Sequence, residues 1–139
     1  MCISKILTRT FFSAWALVIL LFAANVTMAQ TDSIPKKRLQ SPAIVKGNVG
    51  GEAHDSYVIR VRKGQILTVK IFWQPRKDNN RAEFTVSRSV NFFNADRVKF
   101  GKEADYGSLW SGKVQKSGNY FIYVVAHPSA IYTLKATVK

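Results

Sequence analysis

A two-residue apolar repeat in the last third of the chain restricts the fold more than any other feature. In residues 120–126 both alternating sets of side chains are apolar, which predicts a strand that is buried on both faces and central in its sheet. In residues 132–138 one set is apolar and the other is polar, which predicts a strand with one solvated face. His127, Pro128 and Ser129 form the predicted turn between them.

Similar alternation recurs along the chain, with strands about every 10 to 12 residues, as in antiparallel sandwiches and small barrels. The earlier strands are predicted at residues 43–49, 55–62, 67–73 and 82–87. The short turn at residues 63–65 predicts an antiparallel hairpin of the two strands that flank it. Residues 92–100 predict a short strand with a turn. We therefore expect an all-β fold, a single antiparallel β-sandwich of about seven to eight strands, over residues 43–139.

The N-terminal 29 residues have the three-part pattern of a secretory signal peptide. Lys5 and Arg9 precede an apolar run at residues 11–24, and a small residue, Ala29, ends the segment. The apolar run is shorter than the roughly 18 to 20 residues that a helix needs to cross a bilayer. The sequence thus predicts a cleaved signal, export to the periplasm or the cell exterior, no membrane anchor in the mature chain, and a flexible basic leader at residues 30–42.

Charge and cysteine content limit the chemistry further. The chain has 21 Lys and Arg against 8 Asp and Glu, a formal net charge of +13, and without Lys5 and Arg9 the balance is 19 against 8, or +11. This excess favours anionic partners, so anionic envelope polymers are possible ligands. Cys2, the only cysteine, is removed with the signal, which leaves no disulfide and no thiolate nucleophile in the mature chain.

No residue pattern indicates catalysis. His54 and His127 lack the spacing of a metal site, and there is no nucleophile elbow, P-loop or dinucleotide fingerprint. The carboxylates in predicted loops have basic neighbours, which favours surface ion pairs over acid–base chemistry. The chain is therefore predicted to be a binding protein and not an enzyme, with no catalytic residues, no metal and no cofactor.

Basic and aromatic residues interleave in a way that can also suit single-stranded nucleic acid. Arg60 and Lys70 are predicted to face outward, and Phe72 and Phe121 offer flat rings for stacking. The export signal argues against this partner, and basic residues on a solvated sheet face are usually solubilising. Nucleic acid is therefore an unlikely partner.

An ordered set of short motifs resembles the bacterial periplasmic inhibitors of g-type lysozyme. The motifs span most of residues 43–138, and several of them also occur in the similar pre-peptidase C-terminal sandwich domains of secreted proteins. They are Val45-Lys46-Gly47, Asp55-Ser56-Tyr57, Arg62-Lys63-Gly64-Gln65, Trp110-Ser111-Gly112, Ser117-Gly118-Asn119-Tyr120 and Ile131-Tyr132-Thr133-Leu134.

The resemblance implies a β-sandwich that inserts loops into the substrate cleft of a lysozyme and inhibits it sterically and reversibly. It implies partner contacts at Ser117, Gly118, Asn119 and Tyr120. Further contacts are expected from Asp105, Tyr106 and Trp110. The alternative is an envelope-associated adhesion module, of pre-peptidase C-terminal type, that binds carbohydrate or polyanions.

Charge and burial supply checks on these contacts. Because many lysozymes are cationic, Asp105 could supply a local acidic patch beside Trp110. The residues allow a second interpretation, in which Tyr120 packs inward and Ser117 bonds within its own turn. Burial of Tyr120 together with an internally bonded Ser117 hydroxyl would weaken the inhibitor assignment.

Overall fold

The residues that the structure describes form nine β-strands, most of them where the sequence alternates in polarity. The computed structural model describes residues 36–74 and 79–139, all within one compact unit. The predicted signal peptide and residues 75–78 lie outside the described residues. The strands are β1 (Lys37–Leu39), β2 (Ala43–Gly50), β3 (Asp55–Val61), β4 (Ile66–Trp73), β5 (Arg81–Ser87), β6 (Lys102–Ala104), β7 (Leu109–Lys113), β8 (Gly118–His127) and β9 (Ser129–Val138).

The strands form two sheets. One has four strands in the order β1-β3-β8-β5, and the other has five in the order β2-β9-β4-β7-β6. Neighbouring strands are antiparallel except for β1 and β3, which are parallel. This architecture confirms the predicted all-β sandwich. Among the described residues no helix is long and apolar enough to cross a membrane.

The core lies between the sheets and is built from one face of each strand. The buried side chains at its centre are Tyr57, Ile59, Val61, Leu67, Val69, Ile71, Val86, Tyr120, Ile122, Val124, Tyr132 and Leu134. β8 lies between β3 and β5, as its two apolar faces predict.

The predicted hairpin of β3 with β4 is wrong. β3 pairs with β8, and β4 pairs with β9 and β7, so the turn at residues 62–65 passes from one sheet to the other. The physical reason is that β3 and β4 bury their apolar side chains in the core from opposite sheets. Ile59 of β3 and Val69 of β4 are buried in the same cluster from opposite layers, whereas a hairpin would leave both on one sheet.

Part of the predicted flexible leader is ordered. β1 pairs in parallel with β3, and Leu39 is 7% exposed in the core. The Ser41 hydroxyl accepts a hydrogen bond of 2.7 Å from the Val138 amide. Burial of Leu39 and these backbone bonds stabilise residues 37–42 against the sandwich, so the leader prediction is wrong for them.

Residues 88–97, which we call the strap, cover the outer face of the four-stranded sheet. They contain a 3₁₀ turn at Phe92–Asn94 and an isolated bridge between Ser87 and Arg97, in place of the predicted short strand. Phe92 packs against a second cluster formed by Val58, Phe121 and Tyr123. The Tyr123 hydroxyl also donates a 2.7 Å hydrogen bond to the Ser89 carbonyl. The aromatic residues thus attach the strap by burial instead of by a strand ladder.

Candidate protein-binding site

One end of the sandwich is formed by turns that carry only basic and neutral residues. The turns at residues 62–65 and 114–117 meet there, because Val61 pairs with Gly118 and Ile66 pairs with Lys113. The Lys139 backbone bonds to Ile66 at the same end. We call this the basic end, defined by its exposed cations Arg62, Lys63, Arg88, Lys116 and Lys139.

Hydrogen bonds join the two turns of the basic end. The Lys63 amide donates to the Ser117 hydroxyl oxygen at 2.8 Å. The Gly64 amide donates to the Val114 carbonyl, and the Val114 amide donates to the Gln65 carbonyl, both at 2.8 Å. The turns therefore present one connected surface with little freedom to rearrange. Ser117 remains exposed while its oxygen accepts this internal bond.

Tyr120 supports the Ser117 turn from inside the core. Its side chain is 0% exposed, and its hydroxyl donates to the Lys116 carbonyl at 2.7 Å. The Arg88 guanidinium donates to the Tyr120 hydroxyl at 3.2 Å and to the Lys116 carbonyl at 3.1 Å, and lies 5.1 Å from the ring centroid. Tyr120 and Ser117 thus both show the internal bonding that was expected to weaken the inhibitor assignment, and Tyr120 offers no surface to a partner.

Gly118 is favoured by its backbone conformation, and the space beside it is tight. Its φ is +149°, and a Cβ there would lie 3.0 Å from Nη2 of Arg88. Asn119 follows as an exposed residue opposite Arg60 of β3. The exposed members of the predicted site are therefore Ser117 and Asn119, and the lysines at positions 63 and 116 extend their surface.

The structure does not bring the three secondary residues to the basic end. Asp105 and Tyr106 precede β7 whereas Ser117 follows it, and the five residues of β7 separate them by about 15 Å. Asp105 pairs with Lys70 at 3.6 Å, so the charge of the patch expected beside Trp110 is balanced locally. Trp110 is 3% exposed and packs against Phe100.

Tyr106 is nevertheless an unusual surface residue. Its side chain is fully exposed, and Asp105 and Tyr106 have consecutive positive φ values of 51° and 55°. Non-glycine residues rarely adopt this conformation, and such strain concentrates at functional sites. Tyr106 therefore stays a candidate contact, but at the opposite end of the sandwich.

A buried network that the sequence analysis missed ties the two sheets together. The Tyr57 hydroxyl of β3 lies 2.6 Å from the Tyr132 hydroxyl of β9, and Tyr132 donates to the Asp55 carboxylate. Burial raises the pKa of both tyrosines, and the bond to Asp55 raises the pKa of Tyr132 further. A Cβ at Gly47 would lie 2.4 Å from the Tyr132 ring, so glycine leaves the space that Tyr132 occupies. The alternation that places Asp55 and Tyr57 on one strand face was the available signal.

The residues considered for nucleic acid do not form one surface. Arg60 and Phe121 belong to the four-stranded sheet, and Phe121 is 8% exposed in the cluster beneath the strap. Lys70 and Phe72 belong to the five-stranded sheet. In the part of the chain that the structure describes, no three His, Cys, Asp or Glu side chains come together as a metal site.

Comparison with known proteins relates the chain to two kinds of sandwich. No protein-family model and no curated protein matches it. The periplasmic inhibitor of g-type lysozyme from Aeromonas hydrophila has a TM-score of 0.60 and 21% identity, over 76% of this chain and 97% of the inhibitor. The pre-peptidase C-terminal domain of a Bacillus anthracis collagenase has a TM-score of 0.53 and 18% identity, over 79% of this chain and all of that domain.

The Salmonella Typhimurium inhibitor of g-type lysozyme is also similar, with a TM-score of 0.49 and 17% identity over 76% of this chain. The Aeromonas and Bacillus structures have the higher TM-scores of the three. One is a lysozyme inhibitor and the other is a pre-peptidase C-terminal domain, which are the two kinds of protein that the sequence motifs resemble. The chain therefore has the sandwich fold that a lysozyme inhibitor and a collagenase domain share.

Proposed function

We propose that this chain is an exported binding protein that inhibits a g-type lysozyme by covering its substrate cleft with the basic end. The observation that carries this proposal is the sandwich fold shared with a periplasmic inhibitor of g-type lysozyme. The hydrogen bond from the Lys63 amide occupies the Ser117 oxygen internally, which counts against Ser117 as an acceptor, but it also joins two turns into one exposed surface that can make the contact. Turns that are ordered before binding lose less conformational entropy on association.

Charge at the basic end suits such a cleft. Enzymes that cleave glycosidic bonds use carboxyl groups flanking the scissile bond. Lys63 and Lys116 flank the exposed Ser117 and can approach those groups, although both proteins can be cationic overall. Local complementarity of this kind increases specificity and the association rate. The acidic patch expected from Asp105 is not needed in this arrangement.

Lysis of a peptidoglycan suspension by a g-type lysozyme, with and without the purified protein, tests the function. We expect micromolar protein to slow the loss of turbidity and dilution to restore the enzyme's rate, as steric and reversible inhibition requires. Lysis that proceeds unchanged at micromolar protein would refute the proposed function.

A pair of charge reversals tests the proposed surface separately. Lys63→Glu with Lys116→Glu should weaken inhibition about tenfold or more, since like charges then face the carboxylates of the cleft. Lys37→Glu with Lys46→Glu makes the same change in net charge away from the basic end and is the matched control. Equal loss of inhibition in both double variants would show that net charge, and not the basic end, determines binding.

The alternative, an adhesion module for carbohydrate or polyanions, draws on the likeness to the collagenase domain. It predicts retention of the protein on cell-wall polymers that falls as salt rises, without any effect on lysozyme. A pull-down across a salt series, performed beside the lysis assay, supports this alternative only if the protein is retained on the polymers and does not slow lysis.

A further inference from the structure

The outer face of the five-stranded sheet is cationic and carries no carboxylate among its outward-facing strand residues. Five lysines alternate there with hydroxyl and apolar side chains along β2, β9, β4, β7 and β6. The lysines are Lys46, Lys70, Lys102, Lys113 and Lys135. The strap covers the other sheet, so this face differs from its counterpart in exposure.

Two of these lysines are cross-strand neighbours, and their like charges repel each other. Lys70 and Lys135 are directly opposite on neighbouring strands, an arrangement in which like charges repel. Their Nζ atoms lie 5.0 Å and 5.2 Å from the centroid of one ring, that of Phe72, which is 42% exposed. Asp105 balances Lys70 at 3.6 Å, and within residues 36–74 and 79–139 no carboxylate forms an ion pair with Lys135. An anionic ligand would relieve this repulsion.

A shallow depression of about 290 Å³ adjoins the Phe72 ring. Lys46, Thr133 and Phe72 occupy one register row across three strands, and all three line the depression together with Gln74 and Ile131. A flat ring, an ammonium group, a hydroxyl and an amide thus adjoin one concave surface. Binding sites for small polar ligands combine an apolar surface with a few directed polar groups in this way.

We propose that this depression binds one acidic sugar unit of a carboxylated polysaccharide. The sugar would pack against the part of the Phe72 ring that Lys70 and Lys135 leave open to the depression. Its carboxylate would pair with Lys46 in the depression and with Lys135 beside it, and its hydroxyls would bond to Thr133 and Gln74. The other lysines of the face would contact further acidic units along the polymer. This site does not depend on lysozyme inhibition, because it uses a sheet face and not the basic end.

An extended anionic polymer fits this face better than a lipid surface. Membrane docking by a sheet needs neighbouring apolar side chains that enter the bilayer together. Ile131 adjoins Phe72 in the depression, but the other exposed apolar residues of this face, Ile44 and Ile66, are separated from that pair by lysine and threonine positions. Alternating charges and hydroxyls instead match the repeating groups of an acidic glycan.

Titration of the full chain with polygalacturonate, followed by calorimetry at physiological salt, tests the site. Lys46→Gln with Lys135→Gln should weaken binding about tenfold, since two exposed ion pairs are lost. Lys37→Gln with Arg60→Gln removes the same charge from the opposite sheet and should change affinity less than about twofold. Equal loss in the two double variants would overturn the site, because binding would then follow net charge alone.

Phe72→Leu keeps the charge and tests the stacking surface. It should weaken polygalacturonate binding about fivefold and leave the binding of dextran sulfate, a generic polyanion, unchanged. Unchanged affinity of this variant for polygalacturonate would overturn the proposal. So would binding to phosphatidylglycerol vesicles without any binding to polygalacturonate, which would indicate a lipid surface. Thermal unfolding of each variant confirms that it is folded.

Discussion

The two outer faces of the sandwich differ in what covers them. On the four-stranded sheet, Val58, Phe121 and Tyr123 are buried beneath the strap, and Phe92 packs onto them. On the five-stranded sheet, Phe72 stays 42% exposed between two lysines. An outward aromatic residue therefore contributes to stability on the first face and is available for binding on the second. Exposure, more than residue type, separates the structural aromatics from the functional candidate.

The largest expected effect separates these aromatic residues directly. Tyr123→Ala should destabilise the fold by about 3 to 5 kcal/mol, because it leaves a cavity in a buried cluster. Phe72→Ala should cost about 1 kcal/mol or less, since a half-exposed side chain loses mainly strand preference. Urea unfolding of both variants measures the difference. Similar losses of unfolding free energy in the two variants would mean that the outer aromatic residues of both sheets are equally well packed.

Truncating Phe92, which attaches the strap to the four-stranded sheet, should have the next largest effect on stability. Phe92→Ala should destabilise the fold by about 2 kcal/mol, less than a fully buried phenylalanine because Phe92 is only half-buried. It should also increase the fluorescence of a hydrophobic dye, because Phe121 and Val58 become accessible. Unchanged dye binding with a stability loss would show that the strap is not what closes this face.

The tyrosine network between the sheets gives a pH test that the strap should not affect. Unfolded tyrosine has a pKa of about 10, and the pKa values of Tyr57 and Tyr132 are raised in the fold. Above about pH 10 the unfolded state loses protons that the folded state keeps, so the stability falls by about 1.4 kcal/mol per pH unit for each tyrosine. Below that pH these groups contribute no pH dependence.

Chemical unfolding between pH 9 and 11 measures this slope. Tyr132→Phe should reduce the slope of unfolding free energy against pH by the contribution of one tyrosine. Phe92→Ala should lower the unfolding free energy at every pH and leave the slope unchanged. A slope that is the same in Tyr132→Phe and the parent would contradict the assignment of the alkaline loss to this network.

The smallest effect concerns the open face. Lys135→Glu replaces a like-charged cross-strand pair with an attractive one, so it should stabilise the fold by about 0.5 kcal/mol. The same change should weaken polygalacturonate binding. Stability that rises while binding falls is the pattern of a residue retained for function. A loss of stability would show that the lysine pair is not strained.

Strand positions could be predicted from the sequence because alternation reports burial directly, as for β8 with its two apolar faces. The pairing partners of the strands could not be predicted from the sequence. A turn as short as residues 63–65 suits a hairpin as well as a crossing between sheets, and only the shared core of β3 and β4 decides between them. The strap escaped prediction because the aromatic residues at 92 and 93 look the same whether they pack on a sheet or pair in one.

The candidate site shows a similar limit. The turn at Ser117 was predicted, but the hydrogen bond from the Lys63 amide joins residues 54 positions apart and leaves no local pattern. Four residues of the motifs that resemble lysozyme inhibitors, namely Gly47, Asp55, Tyr57 and Tyr132, meet in the buried network between the sheets. Those motifs therefore report the architecture more directly than the binding surface.

The position of β9 between β2 and β4 determines when this fold can form. The last strand of the sandwich provides the hydrogen-bonding partner of both, so neither β2 nor β4 can complete its pairing until residues 129–138 are available. Pairings of such long sequence separation form slowly, since loop closure is unfavourable before the contacts form. Until residues 129–138 have been synthesised, the chain remains without its five-stranded sheet, so the folding of this sheet must wait for its last strand.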